Sequence, residues 1–136
     1  MKRVVVDHYG GPEVLKLVEE DTPRPGAGEV RVRVLAAGLS FTDAQIRAGT
    51  YIGGPKPPFT PGYELVGVVE ELGAGCERLK EGDRVGVLTV FGADAERVCV
   101  PEKYAVVAER LPFSEARRAH EMLNSSAAKG KLVLVP

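Results

Sequence analysis

The chain has no tryptophan, two histidines and two cysteines among its 136 residues, and only 6% of them are aromatic. Two cysteines, Cys76 and Cys99, are too few for a disulfide scaffold and read as ordinary thiols in a reducing cytoplasm. His8 and His120 offer neither a zinc-ligand spacing nor a nucleophile-elbow context, which removes a Ser-His-Asp hydrolase from consideration. A dominant charge is missing too: 18 Lys and Arg stand against 19 Asp and Glu, a net charge of -1. Such balance argues against nucleic acid or an anionic membrane as a partner. No apolar run approaches the ~20 residues that a membrane helix needs. The N-terminus runs straight into a strand-like pattern, with no signal peptide.

What is present is glycine and proline, 16 and 10 of them, spaced as turns between short β-branched runs. That predicts one mainly β domain. Lys2 to His8 and Val14 to Val18 flank a Gly10-Gly11-Pro12 turn and predict an antiparallel hairpin. Glu29 to Leu35 alternates, with Val30, Val32 and Val34 on one face and Arg31 and Arg33 on a solvated one. Ser40 to Ala48 predicts a short helix, capped by Ser40 or Thr42 and closed by Gly49. Residues 50–60 form a Gly/Pro-rich loop. Further strands are expected at Glu64 to Leu72, Asp83 to Val90, Glu96 to Val100 and Tyr104 to Val107. Ser114 would cap a helix to about Asn124, with Ala116, Ala119 and Leu123 on one face and His120 near it, packed or capping. Gly130 breaks that helix, and Lys131 to Val135 is a last strand, too apolar for a loose tail.

The organising stretch is Pro61-Gly62-Tyr63-Glu64-Leu65-Val66-Gly67-Val68-Val69-Glu70, a tight turn feeding an apolar strand. Glu64, a carboxylate at the mouth of that strand, reads as a paired strand-start residue. Two glycine clusters mimic a dinucleotide fingerprint and fail on context. Gly26-Ala27-Gly28 is followed by Arg31 where a third glycine belongs and leads into a strand. Gly73-Ala74-Gly75 is followed by Arg78 and by no helix pattern. There is no Walker-type loop.

The blocks GLSFTDAQIRAGTY, PFTPGYELVGVV and LKEGDRV, between Gly38 and Val85, resemble the catalytic domain of the medium-chain dehydrogenase/reductase superfamily, above all its zinc-independent quinone oxidoreductase branch. EARRAHEMLNSSAAKGKLVLVP resembles the extreme C-terminus of the same superfamily. The resemblance implies a mainly β (α+β) fold, a GroES-like, partly open β-barrel with two or three short helices. It also implies that the cofactor-binding Rossmann domain is absent between an N-terminal part, residues 1–107, and a return segment, 108–136, fused near Val106 to Glu109.

In that family NADPH reduces a quinone or an enone, and the substrate side of the cleft is built by the catalytic domain. Carried over by resemblance, Ser40 and Tyr51 are the catalytic hydrogen-bond donors, and Phe41, Asp43 and Tyr63 line the substrate. Zinc alcohol dehydrogenases carry Cys where this chain has Ser40 and His where it has Tyr63; they also carry a four-cysteine lobe that is missing here. No metal is therefore expected. No cofactor is expected to bind this chain by itself, NADPH belonging to the full-length family. Three readings stay open: an inactive catalytic domain, a non-enzymatic module binding a small apolar ligand or a second copy through the exposed face, and a reductase whose cofactor domain comes from a partner.

Overall fold

In the computed structural model, which describes residues 1–125 and 131–135, β-branched runs set most of the strands. β1 (Lys2–Val6) and β2 (Leu15–Glu19) pair antiparallel as the predicted hairpin. A 3-10 turn at Pro12–Val14 joins them, with Pro12 supplying a helical φ at its first position. β3 (Glu29–Gly38), β4 (Glu64–Leu72), β5 (Arg84–Leu88), β6 (Arg97–Pro101), β7 (Ala105–Pro112) and β8 (Lys131–Val135) make one sheet in the order β6-β3-β4-β5-β7-β8. The pairs are antiparallel except β7 with β8, which are parallel.

The sheet curls on itself without closing. Val85 and Val87 of β5 share a core with Val98 and Val100 of β6, although two strands lie between them in the sheet. Val30 and Val32 are buried in this core, as their alternation requires. The opposite face carries charge in balance: Glu70 on β4 meets Arg31 and Arg33 of β3 and Arg97 of β6, and Arg31 also reaches Glu71. The partly open barrel and its two α-helices match the fold expected from the sequence.

The first helix, α1 (Phe41–Ala48), follows Ser40 as its N-cap and ends on Gly49 at φ 76°. A β-carbon at Gly49 would be strained at that φ and would lie 2.7 Å from the Tyr9 ring, so glycine is needed twice over. Ile46 pins α1 down, 2% exposed in a second core with Val6, Val14 and Phe59.

Several boundaries differ from the sequence reading. β1 ends at Val6 rather than His8, β2 lies one residue later at Leu15–Glu19, and β3 runs past Leu35 to Gly38, where it still pairs with β4. β5 stops at Leu88, because Val90 sits at φ 68° and breaks the extended run. β6 begins at Arg97 rather than Glu96. β7 runs on past Val107 to Pro112: its first half pairs with β5 and its second half with β8. A sequence pattern ended by the polar Glu109-Arg110 does not show that a new partner strand takes over there. The second helix, α2 (Ala116–Asn124), starts after a 3-10 turn at Phe113–Glu115. Its N-cap is Glu115, without a side-chain capping bond, so Ser114 does not cap it.

On α2 the predicted face is only partly used. Ala119 is buried, while Leu123 and His120 are exposed, so His120 is neither packed nor a cap. Gly130 lies outside the described residues. β8 pairs as expected, with Leu132 and Val135 half-buried. Among the described residues no helix is long and apolar enough to cross a membrane.

Candidate functional site

Ser40 and Asp43 form one unit at the start of α1. The Ser40 amide donates to Asp43 Oδ2 at 2.8 Å, and the Ser40 hydroxyl donates to the same oxygen at 2.9 Å. The Asp43 amide returns a bond to the Ser40 carbonyl at 3.2 Å. This reciprocal cap holds a carboxylate where helix-dipole charge favours it. It also redefines two expected roles. The Ser40 proton is already committed to Asp43, so Ser40 meets a ligand as an acceptor before it can meet one as a donor. Asp43 is only 4% exposed, so it shapes the site from beneath rather than lining it openly.

Tyr51 and Tyr63 pack elsewhere, each against one apolar core. Both are half-buried against the Val6, Val14, Ile46 and Phe59 core, as is Val90. Tyr51 follows the C-terminal end of α1, so its backbone is roughly 12 Å from Ser40 along an eight-residue helix. Phe41, at the N-terminal end, is 79% exposed; Leu39, before the helix, and Ile52, beyond its far end, are 87% and 96% exposed. The structure thus joins Ser40 to Asp43 at the start of α1 and packs Tyr51 and Tyr63 against one apolar core. Glu64 begins β4 with its side chain exposed and lying over Gly38.

Three participants escaped the sequence reading. Thr89 and Val90 both donate backbone N–H groups to the Tyr63 carbonyl, at 2.9 and 3.1 Å, and the Thr89 hydroxyl donates to the Gly62 carbonyl at 2.8 Å. These bonds hold the β-branched Val90 at positive φ, a conformation that costs about 1–3 kcal/mol and persists only when its surroundings impose it. Asp94 is the third. It shares a cavity of about 150 Å³ with Asp43, walled by Leu15, Leu39, Ala44 and Pro61. Burial, and then the Asp43 charge, push the Asp94 carboxyl above its usual range. Gly62, at φ 104°, leaves room for it: a β-carbon there would lie 2.6 Å from Asp94 Oδ1. The far oxygen of Asp43, Oδ1, is buried with no hydrogen-bond partner.

The glycine clusters serve as turns. Gly26–Gly28 leads into β3, and Gly73–Gly75 opens no helix. The amides that follow the second cluster are already occupied: Glu77, Arg78 and Leu79 donate to the buried Glu102 carboxylate at 3.3, 2.8 and 2.8 Å. Burial raises the Glu102 pKa, but these three donors outweigh it and hold the carboxyl below its usual range. Among the described residues no three His, Cys, Asp or Glu side chains gather as a metal site. Cys76 donates to the Glu29 carbonyl, and burial raises both thiols, Cys76 and Cys99, above the ordinary cysteine range.

Comparison with known proteins places this geometry. The family model of the alcohol dehydrogenase GroES-like domain matches residues 26–111, more than half of the chain. The human synaptic vesicle membrane protein VAT-1 homolog-like is 38% identical over 85% of the chain and 28% of its own length. The quinone oxidoreductase of Lama guanicoe is 36% identical over 99% of the chain and 44% of its own length. Among solved structures, the human VAT-1 homolog-like protein superposes with a TM-score of 0.77 at 36% identity, covering 94% of this chain and 44% of that one. The Escherichia coli quinone oxidoreductase complexed with NADPH does so with a TM-score of 0.75 at 33% identity, covering 80% and 33%. The chain therefore spans less than half the length of these relatives. By this match it belongs to the alcohol dehydrogenase GroES-like domain family, within the medium-chain dehydrogenase/reductase superfamily.

Proposed function

We propose that this chain is the substrate-side domain of a zinc-independent, NADPH-dependent quinone reductase of the cytoplasm, and that it is inactive without a nucleotide-binding domain. The occupied loop after Gly73–Gly75 is the observation that carries this reading: its amides, the nearest thing here to an anion cradle, are filled by Glu102. Among the described residues neither glycine cluster opens a helix, so neither offers a pyrophosphate its usual donors. The reading is supported by an exposed Phe41 and by Tyr51 and Tyr63, half-buried against one core. NADPH, when bound in a complete enzyme, supplies the hydride. Tyr51 can then donate a hydrogen bond to the oxygen of a quinone or enone, Tyr63 offers it a ring face, and Phe41, at the other end of α1, offers an apolar face to a more distant part of the substrate. Ser40 and Asp43 fix the start of α1 on which Phe41 stands.

The division into residues 1–107 and 108–136 is part of the same reading, and the pairing of β7 supports it. The change from β5 to β8 as partner falls between Val107 and Ala108. Inserting a nucleotide-binding domain of the family between Val107 and Glu109 is expected to create NADPH-dependent quinone reduction. A folded, NADPH-binding fusion with no such activity would refute the assignment of a substrate side.

A second reading, an association module, draws on Leu39 and Phe41 at the start of α1 and Ile52 beyond its end, three large apolar side chains that are exposed. Light scattering separates the two: a dimer dispersed by Phe41→Ser and Ile52→Ser together would favour association through these residues, and a monomer would discard it.

A further inference from the structure

A second cleft, which shares no lining residue with the Asp43 cavity, lies between the end of β5 with the loop after it and β6. Its volume is about 770 Å³, inside the range of small-molecule sites. Val87, Val98 and Val100 form the floor, and Leu88, Phe91 and Tyr104 stand exposed at the rim. Its polar groups are few. The Thr89 hydroxyl is occupied by the carbonyls of Gly62 and Tyr63. Cys99 pairs with Arg31, so its thiol stands on the charged face of the sheet, away from the Val98 and Val100 side chains. The one charged side chain lining the cleft is Lys103, whose ammonium lies 5.0 Å above the Tyr104 ring.

From this arrangement we infer that the cleft binds a small amphipathic anion, its apolar body against the valine floor and its carboxylate or sulfonate at Lys103. An apolar wall favours the body without regard to sign, while a single ammonium at the rim decides the head group. A neutral ligand would leave that head without an ionic partner, and a cationic one would be repelled. The site is independent of the quinone reading: it uses neither Ser40, Tyr51 nor Tyr63.

Calorimetric titration of the purified chain with decanoate, decylamine and decanol, each below its micelle concentration, tests this directly. Decanoate is expected to bind most tightly and decylamine most weakly. Lys103 is exposed, so its variants are expected to fold. Lys103→Arg should retain the preference, and Lys103→Glu should weaken decanoate by roughly fivefold or more and favour decylamine, as expected for an exposed charge pair reversed in sign. No binding of decanoate, equal binding of the anion and the amine, or a ranking untouched by Lys103→Glu would each overturn the inference.

Discussion

Ile46→Ala tests whether the apolar core beneath α1 holds Tyr51 and Tyr63. Ile46 is buried with Val6, Val14 and Phe59, and the half-buried Tyr51, Tyr63 and Val90 pack on the same cluster. Truncation removes three carbons and leaves a cavity, which costs about 2–5 kcal/mol. Two of the surrounding side chains are partly exposed tyrosines able to move inward, so the expected loss is in the lower half of that range, about 2–3 kcal/mol. Against a typical total of about 5–15 kcal/mol the variant should remain folded. At roughly 3–4 °C per kcal/mol for a chain of this length, Tm should fall by roughly 6–12 °C. The chain has four tyrosines and no tryptophan, so tyrosine emission is not masked and should report the repacking. Ile52→Ala is the control: a side chain so exposed should cost no more than about 0.5 kcal/mol. A loss at Ile46 under about 1 kcal/mol, or one matched by Ile52→Ala, would refute the idea that this cluster supports the site.

Asp94→Asn should stabilise the protein at neutral pH. The native carboxyl has a raised pKa, so its charged form is disfavoured in the folded state; this penalty is full above the folded pKa and vanishes below the unfolded value of 3.8. A higher Tm at pH 7 that fades as pH falls towards that value is expected, and no pH dependence would contradict it. Glu102→Gln should act with the opposite sign. The native carboxyl is depressed below 4.5, so it contributes stability above that value that is lost as pH falls through the folded pKa. The variant should melt lower than the parent at pH 7, with the gap narrowing in acid; an equal gap at every pH would show that the three amides do not depend on the charge. Ending the chain after Ser125 removes β8 and leaves the second half of β7 as an unpaired edge. Lower Tm and concentration-dependent scattering are expected, and an unchanged Tm would show β8 to be dispensable.

Where a local pattern decides, the sequence is sufficient. The alternation from Val30 to Val34, the Ser40 cap and the Gly49 stop each depend on a few neighbouring residues, and each appears in the fold. Where partners come from afar, it is not. Val90 reads as a strand residue by its β-branch, and only the Tyr63 carbonyl, met through folding, turns it into the left-handed region. Asp94 sits in what reads as a plain turn, and nothing local announces that Asp43 lies across a cavity from it. The extent of β7 is likewise set by β8, from the far end of the chain. Family likeness names Ser40 and Asp43 separately, but their bond to each other, which changes what Ser40 can donate, required the geometry.

The central claim is that this domain carries the substrate side of a reductase and no cofactor site of its own, and titration of NADPH fluorescence with the purified chain tests it most directly. Contacts to a nicotinamide end alone must overcome an association cost of at least ~4 kcal/mol. The account predicts no change in NADPH emission below millimolar concentration and no NADPH-dependent quinone reduction. Saturable binding in the micromolar range would contradict it.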